Sequence, residues 1–180
     1  MPKKRQFYKN RRLPAVVAVV LLAFVLARVF LIPGARTDDA SSKNLAEGEY
    51  PVVRVVDGDT IIVFHQGENV RVRLLGIDTP ETVKPDHPVE FMGPEASEFS
   101  NEFLEESVCR LRFDRRRIDQ YGRWLAYVYV DDVMLNEELV RQGLARVSVY
   151  PGDSTSIERQ LRKAEEEAKT NGRGIWSRDR

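Results

Sequence analysis

The chain has 180 residues, of which 42% are hydrophobic and 31% are charged. That length supports one ordinary hydrophobic core and is too short for two comfortable domains. A formal charge of zero hides an asymmetry, because residues 1–36 contain eight basic side chains and no acidic one, which leaves a net charge of −8 in residues 37–180. The folded part therefore lacks a general basic surface, so any polyanion must be bound locally.

Cysteine and histidine are too scarce for a soft metal site. Cys109 is the single cysteine and cannot form an internal disulfide. Together with His65 and His87 it falls short of the four ligands of a Cys/His zinc site. Any bound metal ion must therefore be held by oxygen atoms.

The amino terminus is typical of a targeting segment. Residues 1–12 are a basic region, and residues 13–32 are mainly apolar with one charge, Arg28. About 20 apolar residues suffice to cross a bilayer, and the preceding positive charges predict that the rest of the chain lies outside. We favour an uncleaved transmembrane anchor over a cleaved signal segment, because the small residues Val25 and Ala27 lie inside the apolar stretch. A buried core helix is the remaining alternative.

A polar linker and a strand-rich segment come next. Residues 33–49 predict the linker. Two strands are predicted within residues 50–64, on either side of a turn at residues 57–59, and a third runs from about residue 69 to residue 77. Two more strands are predicted at residues 108–113 and 125–130, which gives five.

Three helices are predicted after the third strand. The first spans residues 94–107, the second lies between an N-cap at Asn136 and a stop at Gly143, and the third starts with the capping box Thr155 and Glu158. The third helix ends at residues 171–172, an Asn-Gly pair. Five strands and three helices predict an α+β domain containing a small barrel.

Three acidic residues, Asp59, Asp78 and Glu81, lie just past strand ends. Chain reversals can bring such side chains together, and calcium prefers oxygen ligands in flexible geometry. Taken singly, each acid is more often explained by turn chemistry, because Asp-Gly and Asp-Thr-Pro are common turn sequences. The residues alone therefore leave both a metal site and ordinary turns open.

Two arginines are candidates for phosphate binding. Arg73 lies on the third predicted strand, and Arg123 follows an apparent Tyr-Gly turn. Each, in isolation, is more often a solvated surface residue. A phosphodiesterase nevertheless needs planar donors where charge builds up on the phosphate, and arginine supplies them without titrating.

Six ordered segments carry a family resemblance. They are Val56-Asp57-Gly58-Asp59-Thr60, residues 73–82, Gly93-Pro94-Glu95-Ala96-Ser97, residues 119–123, Leu125-Ala126-Tyr127 and residues 136–145. In series they closely resemble the staphylococcal nuclease (thermonuclease) family, and Ile175-Trp176-Ser177 resembles its carboxyl end. One such motif would be weak evidence, whereas six in order across residues 50–178 make chance a poor explanation.

The resemblance implies a five-stranded OB-fold β-barrel with three α-helices, here preceded by an N-terminal hydrophobic helix. It also implies a calcium-dependent enzyme that hydrolyses DNA and RNA to 3′-phosphate products. By residue match, Asp59, Asp78 and the carbonyl oxygen of Thr79 would hold Ca²⁺. Glu81 would orient or deprotonate the attacking water.

The same resemblance implies roles for the remaining site residues. Arg73 and Arg123 would bind the scissile phosphate and stabilise its transition state. Asp57 would support the metal ligands. Tyr121 and Tyr150 would bind substrate.

Three departures from the family pattern concern substrate affinity. Gln120 stands where the family has a lysine, one of two family tyrosines is replaced within Ser148-Val149-Tyr150, and residues 82–92 are poorer in lysine than the family loop. Arginines at residues 110–117 could supply local attraction, or could simply form an exposed polar strand end. We expect weaker binding of the substrate terminus with intact chemistry, so that affinity falls more than turnover.

A catalytically silent OB-fold module, which binds nucleic acid or docks a protein, is the alternative to a nuclease. A silent module would be expected to lose the acids or the arginines. This chain keeps all three acids and both arginines. We therefore expect DNA and RNA as substrates, a membrane contact through the N-terminal helix, and a monomeric catalytic domain with no inferable protein partner. We expect it outside the cytoplasm, membrane-anchored, or secreted if the segment is cleaved.

Overall fold

Residues 45–82, 88–105 and 108–179 are described by the computed structural model. The predicted basic region, the apolar segment at residues 13–32 and most of the predicted linker lie outside these ranges. Within them, no helix combines the length and the apolar content needed to cross a bilayer.

The strands form a closed barrel. In chain order the strands are β1 (Gly48–Asp57), β2 (Thr60–His65), β3 (Glu68–Leu74), β4 (Ile77–Asp78), β5 (Val108–Arg112), β6 (Trp124–Val130), β7 (Val133–Met134) and β8 (Arg146–Val147). The five long strands pair in the order β3-β2-β1-β5-β6, and a parallel pairing of β3 with β6 closes the sheet. The short strands β4 and β8 pair with each other. This five-stranded barrel confirms the predicted strands and fits an OB-fold.

Three helices accompany the barrel: α1 (Gly93–Leu104), α2 (Leu135–Arg141) and α3 (Thr155–Asn171). A 3-10 helix, Gly174–Asp179, follows α3. Helix α1 packs against β1, and α2 packs against both β6 and α3. The fold is therefore α+β, with its helices outside the closed sheet.

Helix ends show where cap prediction fails. The N-cap of α2 is Met134 and that of α3 is Ser154, so the predicted caps at Asn136 and Thr155 are wrong. The end of α3 is confirmed, because Gly172 adopts a left-handed conformation with φ of 61° after the last helical residue. Asn136 lies inside α2, where its side chain bonds to Val128 in β6 and to Leu75 just after β3.

The core fills the barrel and the space beneath the helices. Along β3, Val70, Val72 and Leu74 are buried, whereas Arg71 and Arg73 alternate with them on the other face. Apolar burial of this kind contributes about 25 cal/mol for each Å² removed from water. Leu45 also joins the core, and the Tyr50 hydroxyl donates to the carbonyl oxygen of residue 46. Part of the expected linker therefore packs on the barrel.

Candidate active site

A tight turn between β1 and β2 carries Asp59. Gly58 allows its surroundings to approach closely, because a Cβ atom there would lie 2.8 Å from the Cβ of Ala96 and 2.9 Å from the side chain of Thr79. The Ser100 hydroxyl of α1 donates to the carbonyl oxygen of Gly58 at 2.7 Å. Helix α1 and the Thr79 segment thereby fix the turn, and any larger residue would displace one of them.

Strand register brings Arg73 to this turn. Arg73 is the cross-strand partner of Thr60, the residue after Asp59. Its Nη1 donates to Asp59 Oδ1 at 2.7 Å, and its Nη2 donates to Asp78 Oδ1 at 2.5 Å. The Asp59 side chain is 3% exposed and that of Asp78 is 63% exposed. One guanidinium thus joins a buried and an exposed carboxylate, and we call these three residues the Asp59–Arg73–Asp78 cluster.

Asp59 accepts hydrogen bonds through both carboxylate oxygens. Besides Arg73, Oδ1 accepts from the Thr60 hydroxyl at 3.1 Å, and Oδ2 accepts from the main-chain N–H of Thr79 at 3.1 Å. Burial raises the pKa of Asp59 to about 7, although Arg73 lowers it, and the charge of Asp57 raises it further. Three acidic side chains, Asp57, Asp59 and Asp78, thus lie around the single guanidinium of Arg73.

The cluster suits a hard cation in its donor chemistry. The donors at Asp59 and Asp78 are carboxylate oxygens, the kind of ligand that a hard cation prefers, and Thr79 contacts Asp59 through its main-chain N–H. Within residues 45–82, 88–105 and 108–179, no three His, Cys, Asp or Glu side chains form a group that could hold a metal ion. The fit therefore rests on the carboxylate oxygens of Asp59 and Asp78, with Asp57 as a third acid nearby.

Glu81 lies three residues after Asp78 in a loop that returns on itself. Its carboxylate accepts from the main-chain N–H of Thr82 at 3.0 Å, and its own N–H donates to Glu90 Oε2 at 3.1 Å. The main-chain N–H of Glu90 in turn donates to the carbonyl oxygen of Glu81 at 3.0 Å. Glu81 is thus tied to the loop, and its role toward water stays a prediction.

Arg123 sits on a separate turn that Asp119 organises. Asp119 Oδ2 accepts from Arg123 Nε at 2.7 Å, while Oδ1 accepts from the main-chain N–H groups of Tyr121 and Arg123, each at 2.9 Å. The guanidinium lies 5.4 Å from the centre of the Tyr121 ring, which is 74% exposed. Arg123 is two residues before Leu125, the register partner of Arg73 in the β3–β6 pairing. The two arginines therefore belong to adjoining parts of the barrel.

The remaining predicted site residues are Asp57, at the end of β1, and Tyr150, after β8. Asp57 Oδ1 accepts from the main-chain N–H of Asp59 at 3.2 Å, so it braces the turn that carries the buried acid. Tyr150 is exposed, and the Arg116 guanidinium lies 4.1 Å from its ring centre. An exposed aromatic ring beside a cation is suited to stacking on a nucleobase.

Two residues that contact the predicted site residues, Asp119 and Arg116, were not predicted from the sequence to belong to the site. Asp119 precedes Arg123 by four residues across a Gly-containing turn, and that Asx-turn pattern could have revealed it. Arg116 lies within a run of arginines, and nothing in the sequence distinguishes it from its neighbours.

Comparison with known proteins agrees with the motifs and the barrel. The family model described as "Staphylococcal nuclease homologue" matches residues 71–178. A thermonuclease of Staphylococcus hyicus is 40% identical over 162 residues, which cover 90% of this chain and 95% of that protein. A thermonuclease of Staphylococcus intermedius is 40% identical over 169 residues, covering 93% and 99%. An endonuclease of Bacillus subtilis is 44% identical over 126 residues, covering 69% and 60%. The chain belongs to the staphylococcal nuclease homologue family.

Proposed function

We propose that this chain is a calcium-dependent nuclease that hydrolyses DNA and RNA and leaves 3′-phosphates. Family membership identifies it as a hydrolase of phosphodiester bonds with a nucleic acid substrate. The observation that carries the finer proposal is the Asp59–Arg73–Asp78 cluster, in which one arginine serves two carboxylates. Such a site has carboxylates that could bind a cation, and it has a guanidinium that could donate to a phosphate.

Asp59, Asp78 and the carbonyl oxygen of Thr79 would hold the calcium ion. The ion supplies concentrated positive charge beside the scissile phosphate. Asp59 is held in place by Thr60, Thr79 and Arg73, and Asp57 braces its main chain. A ligand fixed in this way needs little reorganisation when substrate arrives.

Arg73 and Arg123 are the proposed phosphate donors. Arg73 donates through Nη1 to Asp59 and through Nη2 to Asp78, which holds its planar guanidinium at the cluster where the phosphate would bind. Arg123 donates its Nε to Asp119, which orients the guanidinium without using its terminal nitrogens. Glu81 would orient or deprotonate the attacking water.

Tyr121 and Tyr150 are the proposed contacts to the substrate beyond the phosphate. Both rings are exposed, and each has an arginine over it. Gln120 next to Tyr121 is uncharged, which supports weaker binding of the substrate terminus than a lysine would give.

The activity test is DNA cleavage by the full chain in calcium and then in excess chelator. We expect cleavage in calcium, its loss in chelator, and products that carry 3′-phosphates. Equal rates in both conditions would rule out the metal assignment, and products with 3′-hydroxyl groups would rule out the proposed reaction course. Binding of DNA without cleavage in either condition would favour the silent module.

Export is proposed from residues 1–32 alone. A basic region followed by an apolar segment supports a domain outside the cytoplasm, either anchored or secreted. Cell fractionation with mass spectrometry of the native amino terminus tests this. An intact amino terminus in the membrane fraction is the expected result, and a cytoplasmic protein would contradict the proposal.

A further inference from the structure

A cavity of about 340 Å³ opens beside the Asp59–Arg73–Asp78 cluster. Asp78 and Thr79 form one side, and the other side includes Phe91, Arg146 and Arg178. Its volume lies within the range of roughly 300–1,000 Å³ typical of small-ligand sites. Neither arginine has a role in the proposed chemistry, so the cavity offers functional groups that the cleavage site does not use.

Strand pairing places Arg146 next to the cleavage site. Arg146 on β8 is the register partner of Asp78 on β4. Opposite charges facing each other across two strands would ordinarily pair. Here the Asp78 carboxylate accepts from Arg73, while the Arg146 guanidinium lies 4.4 Å from the centre of the Trp176 ring. Among the described residues, Arg146 makes no ion pair with a carboxylate.

The second arginine is held in the same manner. The Arg178 guanidinium lies 3.6 Å from the centre of the Phe91 ring, which is 39% exposed. In the part of the chain that the structure describes, Arg178 too has no carboxylate partner. A guanidinium stacked on an aromatic ring keeps its N–H groups in the ring-parallel plane, where they can still bind a phosphate.

The acids that share the cavity already have partners. Asp78 accepts from Arg73, and Glu90 Oε2 accepts from the main-chain N–H of Glu81. The two arginines are therefore the cavity's available charged donors. Bidentate donors of this kind match the oxygens of a phosphodiester.

We propose that Arg146 and Arg178 form a second phosphate subsite, which binds a phosphate of the polynucleotide flanking the one that is cut. Asp78 belongs both to this cavity and to the cleavage cluster, so a strand held at the cluster passes directly to the subsite. This inference rests on the proposed nuclease function. It accounts for local binding of a polyanion by a folded part whose net charge is −8.

The test compares two substrates in the full chain. A short single-stranded oligonucleotide carries flanking phosphates, whereas a dinucleoside monophosphate carries only the phosphate that is cut. For the double variant R146Q/R178Q we expect KM for the oligonucleotide to rise about tenfold or more, with kcat unchanged. Kinetic constants for the dinucleoside monophosphate should stay at the wild-type values. The single variants should show intermediate KM values.

Oligonucleotide binding by fluorescence anisotropy gives an independent measurement. The slope of log Kd against log salt concentration should fall by about 0.7 for each phosphate that the variant no longer binds. R162Q is the matched control, because Arg162 is an exposed arginine on α3 paired with Glu158 and lies outside the cavity. R146K should restore part of the affinity, since it keeps the charge and loses the planar fork.

Each outcome decides between the two proposals. Unchanged KM and salt slope in R146Q/R178Q would overturn the subsite while leaving the nuclease proposal intact. A matching loss of kcat on both substrates would also overturn it, because it would show a structural role. If wild type cuts neither substrate, the proposed function fails, and the anisotropy comparison still decides whether the two arginines bind a polynucleotide.

Discussion

Arg73 reaches the two acids through strand register. Asp59 and Asp78 are 19 positions apart in the chain, and Arg73 meets Asp59 because it is the cross-strand partner of Thr60. The resemblance predicted all three residues as members of one site. It could not show that a single guanidinium bonds both carboxylates, because that contact depends on the β2–β3 pairing and on the reversal into β4.

Replacing Arg73 tests its role at the phosphate. We expect R73A to lose about 3 kcal/mol of transition-state stabilisation, a fall of roughly a hundredfold in kcat, because a donor to the developing charge is removed. Steady-state DNA cleavage in calcium measures the loss. R71A is the matched control, since Arg71 lies on the same face of β3 two residues earlier. A wild-type rate in R73A, in protein shown to be folded by circular dichroism, would refute the assigned role.

Asp114 connects the segment after β5 with β6 and the start of α3. Its carboxylate accepts from the main-chain N–H of Ser154 at 2.7 Å, from the Tyr127 hydroxyl at 2.9 Å and from the main-chain N–H of Arg115 at 2.8 Å. Burial alone would raise the pKa of Asp114, but these hydrogen bonds outweigh it and lower the pKa below its ordinary value. The charged carboxylate therefore stabilises the folded state.

The stabilisation by Asp114 should depend on pH. A lowered folded-state pKa means that its contribution is present above the unfolded pKa of about 4 and is lost as pH falls through the folded value. We expect D114A to lower the free energy of unfolding by about 1–2 kcal/mol at neutral pH. The difference from wild type should narrow below pH of about 4. Urea denaturation at neutral pH and at a pH below about 4 measures this difference in the free energy of unfolding. D132A is the control, because the Asp132 side chain is exposed. A difference independent of pH would exclude the charge as its cause.

Asn136 shows how tertiary contacts override a local cap signal. Its side chain is fully buried, Oδ1 accepts from the main-chain N–H of Val128 at 2.9 Å, and Nδ2 donates to the carbonyl oxygen of Leu75 at 2.9 Å. An Asn before two glutamates is typical of an N-cap, but here the amide supplies hydrogen bonds that join α2 to two parts of the barrel. No local pattern contains that information.

Removing the Asn136 amide should destabilise the whole domain. N136A leaves a buried N–H and a buried carbonyl without this partner, so we expect a loss of about 3 kcal/mol in the free energy of unfolding. Chemical denaturation monitored by tryptophan fluorescence measures the change. N101A is the control, because the Asn101 amide is exposed and bonds only within α1. Equal stability of the two variants would contradict the proposed linking role.

At the scale of the whole molecule, alternation and turn residues were enough to predict five strands and three helices. The β3 pattern of buried Val70, Val72 and Leu74 is visible in the sequence, and so is the Asn-Gly end of α3. The closure of the barrel is not visible in the sequence, because the parallel β3–β6 pairing joins segments about 50 residues apart and has no local signature. The same closure brings Arg73 on β3 and the turn that carries Arg123 into adjoining parts of the barrel, so the full site depends on it.

Calcium binding by isothermal titration calorimetry tests most directly whether the Asp59–Arg73–Asp78 cluster is a cation-dependent catalytic centre. Calcium is titrated into the full chain and into D59N, which keeps the shape of the side chain and removes its charge. The account predicts one calcium ion per chain for the wild type and no measurable binding for D59N. Equal calcium affinity in the two proteins, or cleavage of DNA by wild type at calcium concentrations where no ion binds, would contradict it.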